Sequence, residues 1–304
     1  METATLRRPP SLPAAIQLGL VGLLLAFAAI AWLLTEDRMG SMDAGPGTDP
    51  GTLGFFLGVW VVMMAAMMFP SIAPMVLMHV RIQEGKRERG QPVATGSTAL
   101  FVCGYLITWA AAGVLGYGLF QLGKAISGNA FSWDTGGPYL AGGVIVAAAA
   151  YQLTPLKDVC LRHCRNPLMF IMDHWRPGRS GALRLGVFHG GWCVGCCWML
   201  MAALFALGVM SLGWMAFIAA LIAIEKMLPW RAVANRGIAV LLLALGLGVA
   251  FTPSDVPGLT LPNSAEAHQA MESMGMEDKA NGGNSMMEEK MGGAEKGGMR
   301  GEMP

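Results

Sequence analysis

The sequence predicts an all-α fold: a polytopic transmembrane helix bundle of about seven helices over residues 1–252, then a disordered methionine-rich tail over 253–304. Three observations carry this expectation. Charged residues are only 13% of the 304-residue chain and hydrophobic ones 54%, whereas a soluble domain carries about 25% charged residues. Seven stretches are apolar over most or all of the ~20 residues that a helix needs to cross a ~30 Å hydrocarbon core. Methionine is in large excess at 24 residues. Together these exclude an ordinary soluble enzyme. The net charge of +1 offers no electrostatic footing for a nucleic-acid partner.

In chain order, the first stretch, 14–34, follows Arg7 and Arg8. Its apolar run from Ile16 to Leu34 exceeds the 7–15-residue core of a secretory signal, so it reads as a retained helix. The second, 53–78, is rich in methionine and holds Pro70 and Pro74. The third, 98–121, contains the lone Cys103, which reads as packing. The fourth, 138–154, is short and leads into a basic segment around Cys160–Pro167. The fifth, 185–210, holds three cysteines. The sixth, 212–228, is short and ends in Glu225-Lys226, and the seventh is 234–252. No strand is expected, because lipid cannot satisfy the open edge of a sheet.

Basic residues set the orientation. With the N-terminus in the cytoplasm, inside segments hold fifteen Lys and Arg, while the outside loops hold only Arg38 and Lys124. This asymmetry follows the positive-inside rule and puts the C-terminus outside. The tail after Thr252 has no apolar run, nine acidic and four basic residues and eight methionines. Such a composition cannot bury enough surface to offset chain entropy.

Three groups of residues carry candidate chemistry. In the fifth stretch His189, Cys193, Cys196 and Cys197 fall within about 100° of one helix face. Thiols and an imidazole there are soft ligands suited to Cu(I) or zinc; packing is the plain alternative for each cysteine. Gly190, Gly191 and Gly195 let another helix approach closely. In the basic segment Cys160 and Cys164 stand at i and i+4, with His163 between. A reducing cytosol keeps such thiols free, for metal binding or redox work; a basic amphipathic helix on anionic lipid is the alternative. In the second stretch Met64, Met68, Ser71, Met75, Met78 and His79 share an arc of about 100°. That thioether row suits Cu(I), although methionine also fills irregular cores.

On the outer side Met39 and Met42 sit in the first loop, and the tail holds His268 followed by Met271, Met274 and Met276. No cysteine occurs on that side, where thiols would oxidise. The division of thiols inward and thioethers outward favours copper over zinc. Glu225 reads either as an intramembrane functional acid or as the partner of an inner basic residue. A haem held by His79 and His189 is set aside because thiols flank His189. No Walker A, G-x-S-x-G or dinucleotide motif is present.

Four blocks carry a resemblance: Met63-Met-Ala-Ala-Met-Met-Phe-Pro-Ser71, Tyr151 through Cys160, Cys164-Arg-Asn-Pro167, and His189 through Trp198 with Met199-Leu-Met201. Together with Glu225-Lys226 they make residues 55–230 resemble a bacterial family of predicted metal-binding integral membrane proteins, also described as a copper biogenesis family. The resemblance implies an inner-membrane protein that handles metal, with no settled catalytic mechanism.

The expected function is therefore a Cu(I)-binding membrane protein that transports copper or delivers it to a copper-accepting metalloprotein. His189, Cys193, Cys196 and Cys197 form the expected core site. Cys160, Cys164 and His163 form an inner exchange site, and the methionines lead outward. Two alternatives remain: a membrane thiol–disulfide oxidoreductase using Cys193-x-x-Cys196, and a structural assembly factor without metal.

Overall fold

The computed structural model describes residues 14–39, 51–127, 136–208, 211–259 and 261. Among these residues the chain is helical, with no strand. Each expected apolar stretch is a helix: α1 (Ala14–Met39), α2 (Leu53–Arg87), α3 (Ser97–Ser127), α4 (Gly137–Gln152), α7 (Gly178–Leu207), α8 (Leu212–Met227) and α9 (Arg231–Phe251). The basic segment adds α5 (Pro155–Arg165) and α6 (Pro167–His174). The tail methionines Met271, Met274 and Met276, and the loop residue Met42, lie outside the described residues.

Five helices, α1, α2, α3, α7 and α9, are long and apolar enough to cross a membrane. The two short stretches differ from full spans. α8 has 16 residues, about 24 Å of rise. α4 also has 16 residues and reaches span length only with α5, across a 68° bend. Thr154 and Pro155 make that break. Thr154 is extended, its side chain accepts the Lys157 N–H, and Pro155 starts the new helix without needing a donor. Leu153 and Thr154 donate their backbone N–H groups to the Ala150 and Tyr151 carbonyls, which closes the last turn of α4.

The bend turns α5 back against α7. Lys157, Cys160 and Leu161 form its buried face, so the basic helical segment packs into the bundle. α5 ends at Asn166, before Pro167, as the restriction on a residue preceding proline predicts.

α7 is the central helix, packed by α3, α4 and α5, while α2 packs on α1 and α3. Small residues allow these approaches. A Cβ on Gly186 would strike the Phe101 backbone, and one on Gly104 the Leu183 carbonyl. Gly190 faces Thr108 of α3 and Gly195 faces Cys160 of α5, both contacts of the kind expected. Gly191 is different: it faces open space, because it lies one residue, about 100°, off the packed face. α2 runs unbroken through Pro70 and Pro74 and buries Met63, Met64, Met67, Met68 and Met75. After α9, residues 253–259 lie against α8, where Trp214 Nε1 donates to the Gly258 carbonyl at 2.9 Å.

Candidate metal centre

The centre is built from α7 and α5. On α7, Cys193 and Cys196 are one turn apart on the face that meets α5, and both are buried. On α5, Cys160 and Cys164 share the inward face at i and i+4. Gly195 has no side chain, so the Cys160 sulfur sits close to its Cα, 3.0 Å from where a Cβ would stand. Tyr151 donates its hydroxyl to the Gly195 carbonyl at 2.6 Å, tying the end of α4 to the same turn of α7. The result is that the sulfurs of Cys164, Cys193 and Cys196 all lie within 4.8 Å of one another. Cys164 and Cys196 are 3.8 Å apart. All three are free thiols.

Two anchors hold α5 in place. Lys157 and Glu225 form a fully buried ion pair, Nζ donating to both carboxylate oxygens at 2.8 Å. This pairing answers the open reading of Glu225: the acid matches an inner base. Arg165, next to Cys164, donates to the carbonyl of Glu225 at 2.9 Å and also to that of Leu228. These bonds cap the C-terminal end of α8 with a cation, a favourable arrangement for the helix dipole.

Cys193 is the most elaborately held sulfur. Lys226 Nζ donates to it at 3.0 Å, and the Tyr105 hydroxyl lies at 3.1 Å. Lys226 also donates to Ser71 Oγ at 3.3 Å, and that hydroxyl donates to the Met68 carbonyl at 2.8 Å, with Met68 Sδ at 3.9 Å. A continuous polar path thus runs from the α2 methionine row through Ser71 and Lys226 to the thiols.

The other sequence candidates are placed as follows. Cys197 is buried beside the group, its thiol donating to the Cys193 carbonyl at 2.9 Å; it is not one of the three close sulfurs. His189, one turn before Cys193, is buried in an aromatic nest of Phe101, Tyr105 and Phe170. Its Nδ1 has no hydrogen-bond partner among the described residues. His163 stacks flat on Trp192 at 4.0 Å, away from the cluster. Met64, Met68 and Met75 are buried in α2 and Met78 is partly buried. His79 is hydrogen-bonded to Gln83 and stacked on Phe101, whose ring also packs against His189.

Cys164 and the α7 cysteines read from the sequence as two sites; in the fold they are one group. Sequence reasoning also missed Tyr105 and the contact of Lys226 with Cys193. The available signals were a tyrosine in an apolar stretch and a lysine at the end of another, next to an acid.

Three thiols on two helices, all within 4.8 Å of one another, are suited to a soft metal ion. The chain matches the family described as PpoB2 copper chaperone over residues 57–249, well over half of its length. No curated protein and no solved structure matches it.

Proposed function

Because this chain belongs to the PpoB2 copper chaperone family, we propose that it binds Cu(I) inside the membrane through Cys164, Cys193 and Cys196 and hands it to a copper-requiring metalloprotein. The observation that carries this reading is the convergence of three free thiols from two helices within 4.8 Å. Cu(I) takes soft thiolate and thioether ligands in low coordination numbers, so two or three cysteines suffice. Cys160, Cys197 and His189 lie next to the three and serve as exchange ligands as the ion enters or leaves. Along α2, Met64 and Met68 precede Ser71 and form the path between this centre and the outer face, while Met75, Met78 and His79 follow it and lead toward the inner face. Met271, Met274 and Met276 capture or release the ion there.

A thiol–disulfide activity is the reading favoured by the 3.8 Å separation of Cys164 and Cys196. One experiment divides the two. Reduced full-length protein is purified anaerobically and titrated with Cu(I) against a chromophoric chelator, and its thiols are counted before and after mild oxidation. One tightly held Cu(I) per chain, lost in Cys193→Ser, is the expected result. No copper retention together with a rapidly reversible Cys164–Cys196 disulfide would replace the chaperone reading with the redox one.

A further inference from the structure

Resting on the Cu(I) reading above, we infer that Lys226 is the built-in counter-cation of the metal centre, making the copper-loaded site electrically neutral inside the membrane. The placement of charges leads to this. Two lysines reach the buried region around the centre. Lys157 is matched by Glu225 in a bidentate buried pair. Among the described residues Lys226 has no carboxylate: its Nζ contacts are Cys193 Sγ at 3.0 Å and Ser71 Oγ at 3.3 Å. An ammonium aimed at a thiol rather than at an acid is an expensive thing to bury unless an anion forms there.

The metal chemistry supplies that anion. When Cu(I) is held by Cys193 and one further cysteine, both thiols lose their protons to water. The charge balance is Cu⁺ + 2 RSH → [Cu(SR)2]⁻ + 2 H⁺. The bis-thiolate centre carries one negative charge, and in a low-dielectric interior a single uncompensated charge is strongly disfavoured. Lys226 brings one positive charge within hydrogen-bond distance of the ligand sulfur. The loaded centre, with Lys157 and Glu225 cancelling each other, then sums to zero. The third of the three cysteines completes the ligand set as a neutral thiol, keeping its proton, and adds no charge. Tyr105, at 3.1 Å from the same sulfur, adds a neutral dipole and leaves this balance unchanged.

The test uses full-length protein in lipid nanodiscs, reduced and anaerobic, with Cu(I) alone as the probe and a competing chelator as the readout. Wild type, Lys226→Met, Lys226→Arg and Cys193→Ser are compared, each checked for a monodisperse elution profile and an unchanged thermal melt. Lys226→Met should bind Cu(I) at least about tenfold more weakly, the consequence of an unpaired buried charge. Lys226→Arg, which keeps the charge, should stay within about threefold of wild type. If Lys226→Met does not fold, Lys226→Gln makes the same comparison. Neutral variants that bind as tightly as wild type would overturn the inference, as would an arginine variant as weak as methionine. In both cases wild-type binding that is lost in Cys193→Ser would leave the Cu(I) reading standing. Absence of binding by wild type would remove both.

Discussion

At the scale of single residues, the six cysteines differ in their surroundings, and that difference predicts their behaviour. Cys164, Cys193 and Cys196 share one small volume, Cys197 points its thiol into a backbone carbonyl, and Cys103 is exposed on α3. Serine is nearly the size of cysteine but offers a hard hydroxyl, a poor ligand for Cu(I). Cys164→Ser, Cys193→Ser and Cys196→Ser should each lower the copper content of purified protein to a small fraction of wild type. Cys103→Ser should leave it unchanged, and Cys197→Ser should retain most of it. Metal analysis of the five proteins decides this. Equal loss in all five would mean that the substitutions act through folding and that the three close sulfurs are not special.

At the scale of helices, the centre depends on how α5 is seated. The Lys157–Glu225 pair ties α5 to α8 with no solvent access. Removing one partner strands the other charge, at a cost of about 3–5 kcal/mol, whereas replacing both with apolar residues of similar size is often neutral. Glu225→Leu should therefore lower the melting temperature in detergent sharply, and Lys157→Met with Glu225→Leu should recover most of it. If the double variant is as unstable as the single one, the pair contributes more than charge cancellation. The α7 glycines give a second contrast. A Cβ at Gly190 would lie 2.7 Å from the Thr108 Cβ, while Gly191 has nothing within 4 Å. Gly191→Ala should be neutral or stabilising by about 0.5–1 kcal/mol, from reduced chain entropy in the unfolded state. Gly190→Ala should destabilise by pushing α3 away from α7. Thermal melts with the opposite ranking would show that the α3–α7 contact is looser than described.

At the scale of the whole molecule, the distribution of charge predicts an orientation. Fifteen basic residues on one set of segments, against two in the loops of the other, predict a cytoplasmic N-terminus and α5–α6 region and an extracytoplasmic residue 254. An alkaline phosphatase fusion after Asn166 should be inactive and one after Ser254 active; activity at Asn166 would reverse the topology. On that orientation the proposal gives the tail, polar, acidic and rich in methionine, the task of gathering cations and supplying weak thioether ligands outside. Deleting residues 266–304 should leave the membrane domain folded and lower copper capture from the outside in a graded way. A tail peptide that binds Cu(I) no better than its Met→Leu version would remove the tail from the proposal.

What the sequence by itself determined is the set of helices and the kind of chemistry. Hydropathy is a local property, so the seven apolar stretches coincide with α1, α2, α3, α4, α7, α8 and α9. Ligand softness is a property of residue type, so three clustered cysteines and a methionine row pointed to copper before any fold was known. Capping is local too, and Asn166-Pro167 marked the end of α5 correctly. The tertiary structure alone decided which of these groups meet. Whether Cys164 joins Cys193 and Cys196 depends on a 68° bend after α4, on a glycine at 195 that admits the α5 face, and on a buried ion pair between residues 68 positions apart. Local polarity left that outcome open, because Lys157, Arg162 and Arg165 also suit a basic amphipathic helix lying on anionic lipid. Two of these charges are met within the bundle: Lys157 by a carboxylate on α8 and Arg165 by the carbonyls at its end. Lys226 follows the same logic. Its number and charge were legible, but its target, a thiol on another helix, is a long-range contact that only packing can specify.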